Sequence, residues 1–223
     1  MNTFKIKTIL SFSFAAILVM SGINSTAQST EFGVRAMPTV SSFEIQSSSG
    51  GVIEGEATVG FGAGIFLGFN FTDHVGIQVE GIYNTLSQKY SEAGNNYQVN
   101  LKYVNIPLLL SLNTGKSQAV NLNIVAGPQI GISVGSDIFN GDNNPGDAVL
   151  NVKNGDLGFA YGAGLDFGLN AEKTVRLGLG FRGVLGLFDI SDNSQSIATE
   201  NYYVLDRTNV KTYSAYLGFS ILF

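Results

Sequence analysis

The final stretch of the chain, residues 213–223, reads YSAYLGFSILF and alternates strictly between two kinds of side chain. The odd positions are apolar throughout: Tyr213, Ala215, Leu217, Phe219, Ile221 and Phe223. The even positions between them hold Ser214, Tyr216, Gly218 and Ser220. A period of two places successive side chains on opposite faces of a β-strand. The chain therefore ends in a strand with one large apolar face and one face of mainly small, polar groups.

The same alternation recurs over 61–71, 120–134 and 157–169. In each stretch one face is apolar, while the other carries mainly glycine and small polar residues. Such a second face cannot fill the shared core of a two-sheet sandwich. A lipocalin-like binding barrel is also disfavoured, because it needs the apolar face inside. An apolar exterior around a small, polar interior is typical of a transmembrane β-barrel.

The composition supports a membrane barrel. Charged residues make up only 13% of the chain, whereas soluble domains usually carry about 25%. No apolar run reaches the 18 residues or so that a membrane-spanning helix needs. The formal net charge of −5 excludes the basic footprint of a nucleic-acid-binding protein. The sequence has no cysteine, so we expect no disulfide framework.

The N-terminal segment is typical of an export signal. Lys5 and Lys7 precede an apolar run, and small residues up to Ala27 form a signal-peptidase site. We predict a secretory signal peptide over 1–27 and a barrel domain over 28–223. An exported membrane barrel of this kind belongs in the outer membrane, surrounded by its lipid.

Counting the alternating stretches predicts an all-β, eight-stranded antiparallel up-and-down transmembrane β-barrel. The predicted strands are 31–42, 57–71, 75–89, 97–112, 120–135, 157–169, 175–189 and 210–223. Four connections are predicted to be long: 43–56, 90–96, 136–156 and 190–209. The other three are tight turns. Short periplasmic turns and long extracellular loops are the pattern of outer-membrane barrels, and an even strand number puts both termini on the periplasmic side.

Aromatic residues on the apolar face predict a girdle at each membrane interface. At the end with the short turns these are Phe71, Phe167 and Phe223. At the end with the long loops they are Phe61, Tyr83, Tyr103, Phe159 and Tyr213. The apolar phase of the fourth strand switches near Tyr103, which predicts a β-bulge there.

The alternation also predicts which charged side chains face the lumen. They are Arg35, Glu80, Asp166, Arg176 and Arg182. Isolated buried charges are very costly, so these three cations and two anions should pair. The lumen of an eight-stranded barrel is only wide enough for its own side chains. We therefore favour a polar plug that fixes the register over an ion-conducting path, and we expect Asp166 to neutralise an interior arginine.

The candidate catalytic signals do not predict an enzyme. The single histidine, His74, falls in a predicted periplasmic turn, where it is an ordinary polar residue. Residues 178–183 match the pattern GxGxxG, but they lie in a strand with no following helix to hold a phosphate. We expect no enzymatic activity and no catalytic or cofactor-binding residue.

The loop 136–156 leaves a metal-binding alternative open. Asp142, Asn143, Asn144 and Asp147 offer oxygen ligands for a loosely held Ca²⁺. Their spacing does not fit an EF-hand, and a solvated loop is the favoured interpretation. No metal site is predicted on this basis. A second long loop, 190–209, holds Tyr202, Tyr203 and Leu205, which suit contact with a partner or folding over the barrel mouth.

Two resemblances add to this interpretation. The last strand resembles the C-terminal signal that outer-membrane proteins present to the barrel-assembly machinery. That resemblance assigns the role to Tyr213, Leu217, Phe219, Ile221 and Phe223, and it implies the assembly machinery and periplasmic chaperones as partners.

The segment YVNIPLLL, residues 103–110, is similar to the "YLEIPLLL" segment of the PorT-like outer-membrane β-barrel family of Bacteroidetes. The stretch FGVRAMPTVSSF, residues 32–43, is similar to that family's first strand. Asn105 stands where the family commonly carries glutamate. The resemblance implies the barrel fold over most of the mature chain.

Two functions of different classes follow. One is a small outer-membrane barrel with a plugged polar lumen and a structural or surface-interaction role, whose extracellular loops contact a partner. The other, suggested by the PorT resemblance, is a component of a protein secretion or transport apparatus.

Overall fold

The computed structural model describes residues 29–47, 52–54, 56–92, 95–140, 149–151, 155–189 and 202–223. Its strands are β1 Ser29–Ser47, β2 Val52–Glu54, β3 Glu56–Ala57, β4 Val59–Asn70, β5 Val75–Glu92, β6 Asn95–Asn113, β7 Val120–Asn140, β8 Val149–Asn151, β9 Gly155–Gly168, β10 Val175–Asp189 and β11 Tyr202–Leu222. Within these ranges, no helix is long and apolar enough to cross a membrane.

Eight long strands close into an antiparallel barrel, as the sequence predicted. They follow each other in the order β1, β4, β5, β6, β7, β9, β10 and β11, and β11 pairs with β1 to close the ring. The closing ladder begins at Glu31↔Leu222 and extends to Ser47↔Tyr203. Beyond Glu31↔Leu222, Thr30 and Phe223 exchange both backbone hydrogen bonds, at 3.1 and 2.8 Å. No sheet edge is left open to lipid at this seam, as a membrane barrel requires.

The strands extend further at the loop end than the sequence predicted. β1 continues to Ser47, β7 continues to Asn140 and β11 begins at Tyr202. The predicted loop 90–96 is wrong, because strand pairing between β5 and β6 continues to Glu92↔Asn95. These extensions are rich in polar residues and carry few large apolar residues in regular alternation, so the pattern that marked the lipid-facing parts did not reveal them.

Three short strands lie at the loop end beside the long ones. β2 pairs with β1 and β3 pairs with β5, both antiparallel. β8 pairs with β11 in parallel, through Val149↔Tyr202. β8 therefore lies on the far side of the β9–β10 hairpin from β7.

The outer face is the predicted apolar one. Outward-facing side chains along every long strand are exposed and large, including Phe61, Ile65, Leu108, Ile124, Leu165, Leu179 and Leu217. The predicted loop-end girdle is present at Phe61, Tyr83, Phe159 and Tyr213. Phe181 joins it, stacking on Tyr213 with ring centroids 6.0 Å apart.

Tyr103 is an exception to the predicted girdle. It is only 1% exposed and faces the lumen, as does Leu101. The β5–β6 register runs one for one through Asn84↔Tyr103, so the phase of β6 does not switch. The register shift lies between β6 and β7, where Lys102 pairs with Gly135 and Tyr103 with Ser133. The extra residue of this bulge is therefore Val134 of β7, not a residue of β6.

The lumen is less polar than predicted. Met37, Ile82 and Tyr216 form one buried apolar cluster. Leu109, Val125 and Ala160 form another, with Val184 packed against it. In a barrel this narrow, lumen side chains contact each other more than water, so apolar residues are tolerated inside as well as outside.

Candidate functional site

The charged residues predicted for the lumen separate into two clusters, one in the middle of the barrel and one at the end with the short turns. We call the second end the turn end and define it by the turns 71–74, 114–119 and 169–174. In outer-membrane barrels this end faces the periplasm.

The middle cluster is built around Glu80 of β5. Arg182 of β10 donates two hydrogen bonds to its carboxylate, Nη1 to Oε2 at 3.1 Å and Nη2 to Oε1 at 2.9 Å. Arg35 of β1 donates to Oε1 from another side, and Gln78 donates to the same oxygen. All of these side chains are buried. Glu80 therefore joins β1, β5 and β10 across the lumen.

Two aromatic rings enclose the Arg35 guanidinium. Its Cζ lies 4.1 Å from the centroid of Phe66 and 4.7 Å from that of Tyr216. Cation–π contacts of this kind are strongest when the cation is removed from water. They help to hold the second positive charge of a cluster in which two arginines share one carboxylate.

Gly180 explains part of the GxGxxG pattern in β10. A Cβ atom at Gly180 would lie 2.6 Å from the Tyr216 ring and 2.5 Å from the carbonyl oxygen of Ala163. Glycine at this position therefore makes room for Tyr216 in the lumen. The pattern lies within a strand and serves lumen packing.

The turn-end cluster is built around Lys116. Its Nζ lies 2.6 Å from Glu31 Oε2 and 3.6 Å from Asp166 Oδ2. Ser220 of β11 donates to Glu31 Oε1 at 2.7 Å. Asn121 donates to Asp166 Oδ2 at 3.0 Å. The cluster therefore connects the first strand, the last strand, β9 and the turn between β6 and β7.

Arg176 lies beside this cluster and is fully buried. Its guanidinium donates to four backbone carbonyl oxygens, those of Lys116 at 2.9 Å, Lys173 at 3.1 Å, Gln118 at 3.1 Å and Asp166 at 3.2 Å. It thereby ties the turn 114–119 to the turn 169–174.

The structure thus brings Arg35, Glu80 and Arg182 together, whereas the one arginine bonded to Asp166 among the described residues, Arg176, contacts its backbone carbonyl and not its carboxylate. The cation beside the Asp166 carboxylate is Lys116. Sequence reasoning missed Lys116 because it lies in a turn, where alternation assigns no side. Glu31 was also missed, although it has the same parity as Arg35 and was therefore identifiable.

The C-terminal residues Tyr213, Leu217, Phe219, Ile221 and Phe223 all lie on the lipid-facing side of β11 or just beyond its end. Phe223 is 74% exposed, while its backbone is bound to Thr30. Its side chain therefore stands free at the turn-end rim of the closed barrel.

The other candidates occupy less informative positions. His74 is exposed at the turn end, with Nδ1 3.2 Å from the carbonyl oxygen of Asn113. Within the described residues, no three histidine, cysteine, aspartate or glutamate side chains are grouped to hold a metal ion. The calcium candidates Asp142, Asn143, Asn144 and Asp147 lie outside the described residues.

The loop end of the lumen holds a small cavity. Both polar and apolar residues line it: Leu86, Asn105, Gln129, Asp156, Val184, Gly186 and Thr212. Asn105, the position at which the sequence departs from the PorT-like pattern, lies in this lining and is buried. Buried apolar clusters and the Glu80 cluster also occupy the lumen.

A closed barrel with a lipid-facing apolar exterior and a charged, filled lumen defines an integral outer-membrane protein. The profile of the outer membrane protein beta-barrel domain family matches residues 26–192. The chain belongs to this family.

Solved structures of outer-membrane barrels are similar to this one. OprG from Pseudomonas aeruginosa is 14% identical, with 88% of this chain and 97% of that chain covered and a TM-score of 0.57. Neisserial surface protein A is 14% identical, covering 85% and 96%, with a TM-score of 0.46. Ail, the attachment invasion locus protein of Yersinia pestis, is 14% identical, covering 89% and 100%, with a TM-score of 0.44. Among curated proteins, none matches significantly. The likeness to OprG, at this identity, shows the fold alone.

Proposed function

We propose that the protein is a non-enzymatic outer-membrane barrel that acts through its loop-end surface, in a structural or surface-interaction role. The observation that carries the proposal is the filling of the lumen. Glu80, Arg35 and Arg182 pair across its middle. One buried apolar cluster contacts this layer through Tyr216, and a second fills another part of the lumen. A lumen filled with paired charges and packed side chains suits a scaffold better than a conduit.

The loop end supports the same proposal. β5 and β6 stay paired for several residues beyond Tyr83, up to Glu92↔Asn95. Lys102 and Asp137 form an ion pair of 2.7 Å on this extension, with both side chains about 40% exposed. The barrel wall therefore continues past the aromatic girdle as a hydrogen-bonded platform. Binding residues are often presented on loops that a rigid scaffold positions.

The remaining partners belong to the same proposal. A signal peptide over 1–27 delivers the chain to periplasmic chaperones and the assembly machinery. The exterior then contacts outer-membrane lipid. The proposal includes no catalytic role for His74, whose ring lies against a backbone carbonyl at the turn end.

The alternative function is a PorT-like component of a secretion or transport apparatus of Bacteroidetes. It is supported by the similarity of residues 103–110 and 32–43 to that family. In this alternative the turn end, with its ordered turns and Lys116 cluster, would couple to periplasmic components.

A deletion strain separates the two proposals. It is complemented with the full chain or with a variant in which residues 141–148 and 191–201 are replaced by short Gly-Ser linkers. We expect deletion to weaken surface adhesion and detergent resistance, the loop-shortened variant to leave them weakened, and secreted proteins to reach the medium normally.

The opposite pattern supports the alternative. Loss of secreted proteins on deletion, restored by the loop-shortened variant, overturns the surface-interaction role. Heat-modifiable migration of the loop-shortened variant, compared boiled and unboiled, serves as the control for a folded barrel.

A further inference from the structure

The turn between β6 and β7 differs from the other two turns at the turn end. Its middle residues Gly115 and Lys116 are buried, although Thr114 and residues 117–119 around them are exposed. In the other two turns no residue is buried, and His74, Ala171 and Glu172 are exposed. Short turns in outer-membrane barrels normally project into the periplasm. This one folds inward across the mouth of the lumen.

An ion pair holds this turn from the inside. Lys116 projects into the lumen and places its ammonium group between Glu31 and Asp166, at 2.6 and 3.6 Å. Glu31 belongs to the first barrel strand and Asp166 to β9. The turn is therefore anchored to the opposite wall and not only to its own hairpin.

Further bonds hold the same turn from its outer side. Asp73 of the neighbouring turn accepts from Ser117 through both carboxylate oxygens, from the backbone N–H at 2.7 Å and from Oγ at 2.8 Å. Its carbonyl oxygen accepts from the Lys116 N–H at 3.0 Å. On the buried side, Arg176 donates to the carbonyl oxygens of Lys116 and Gln118.

We propose that residues 114–119 form a lid that closes the turn end of the lumen, with Lys116 as its latch. Buried polar residues lie behind it, among them Ser111, Asn113 and Asn123, which hydrogen-bond to each other. The lid joins the barrel through the ends of two strands, so it opens as a unit once Lys116 leaves the acid pair and the bonds from Asp73 and Arg176 break. An open lid exposes Glu31, Asp166 and this polar layer to the periplasm.

Cysteine labelling tests the lid directly, because the chain has no cysteine of its own. Ser111→Cys places a thiol behind the lid, at a position that is 3% exposed. Ala171→Cys, on the exposed third turn, controls for access of the reagent. Purified folded protein in detergent is treated with a charged maleimide, and the labelling rates of the two positions are compared.

Lys116→Met removes the latch charge and keeps an unbranched side chain. We expect it to raise the labelling rate of Ser111→Cys by about tenfold or more, because removing one partner of a buried ion pair shifts local opening strongly. Lys173→Met removes a lysine from the neighbouring turn and should leave the rate unchanged. Lys116→Arg should restore most of the protection.

An unchanged rate in Lys116→Met, with Ala171→Cys labelled normally, overturns the lid. If Lys116→Met yields no folded barrel, Asp73→Ala takes its place, since it removes both carboxylate bonds to Ser117 from the neighbouring turn. A raised rate in Asp73→Ala then supports the lid, and an unchanged rate refutes it.

Discussion

Glu80 shares its two carboxylate oxygens between two arginines in the middle of the lumen. Two cations and one anion leave this cluster with a net positive charge. The rings of Phe66 and Tyr216 beside Arg35 reduce the free-energy cost of burying that charge. A buried ion pair adds little stability compared with apolar residues, but breaking one is strongly destabilising. The carboxylate is therefore the sensitive member of the cluster.

Glu80→Gln should destabilise the barrel by about 3–5 kcal/mol, because it leaves two buried guanidinium groups without an anion. The measurement is the temperature at which the folded, fast-migrating band converts to the unfolded one. Glu172→Gln, an exposed turn carboxylate, is the matched control and should leave this temperature unchanged. The triple variant Arg35→Met/Glu80→Met/Arg182→Met should recover most of the loss. Equal conversion temperatures for Glu80→Gln and the parent would mean that the cluster carries no stability.

Glycine serves different purposes in β7 and in β5, and alanine substitutions can test this difference. A Cβ at Gly127 of β7 would lie 2.0 Å from the Leu108 carbonyl oxygen of β6. A Cβ at Gly81 of β5 would meet nothing within 4 Å. One glycine thus permits close approach of two strands, while the other faces open space outside the barrel.

Gly127→Ala should therefore destabilise the barrel by about 1–3 kcal/mol through overpacking. Gly81→Ala should be neutral or slightly stabilising, since it lowers the entropy of the unfolded chain without a clash. The two variants are compared by urea unfolding in detergent. Because the chain has no tryptophan, unfolding is followed by the near-UV signal of its tyrosines or by gel mobility. If Gly81→Ala lost more free energy of unfolding than Gly127→Ala, the close approach of β6 and β7 would not be what requires glycine at position 127.

The same strands show why the fold was predictable and the site only partly so. Lipid on one side imposes strict alternation, so the sequence alone predicted eight strands, their outer faces and the inward positions of Arg35, Glu80 and Arg182. The lumen imposes no such rule, and Leu101 and Tyr103 face inward although they are apolar. Lys116 lies in a turn, where parity has no meaning, so its pairing with Glu31 and Asp166 required the structure.

The first and last strands pair with each other at the seam that closes the barrel. The backbone of Phe223 is bound to Thr30 on both its N–H and its carbonyl side, while its side chain is 74% exposed at the rim. The side chain therefore contributes little to the closed barrel itself. This separation allows the seam contact of Phe223 and the assembly signal that the resemblance of the last strand implies to be tested apart.

Phe223→Ala keeps both backbone bonds and removes only an exposed ring. We expect the purified variant to refold into detergent as the parent does, because such substitutions usually change stability by about 0.5 kcal/mol or less. In cells, however, we expect the folded amount in the outer membrane to fall, because the resemblance of the last strand implies that Phe223 belongs to the assembly signal. Phe69→Ala removes a lipid-facing ring from β4 and should leave assembly unchanged. Boiled and unboiled gels of refolded protein and of isolated outer membranes provide both readings. A parallel loss in both preparations would assign Phe223 to stability, and equal assembly of the two alanine variants would remove it from the signal.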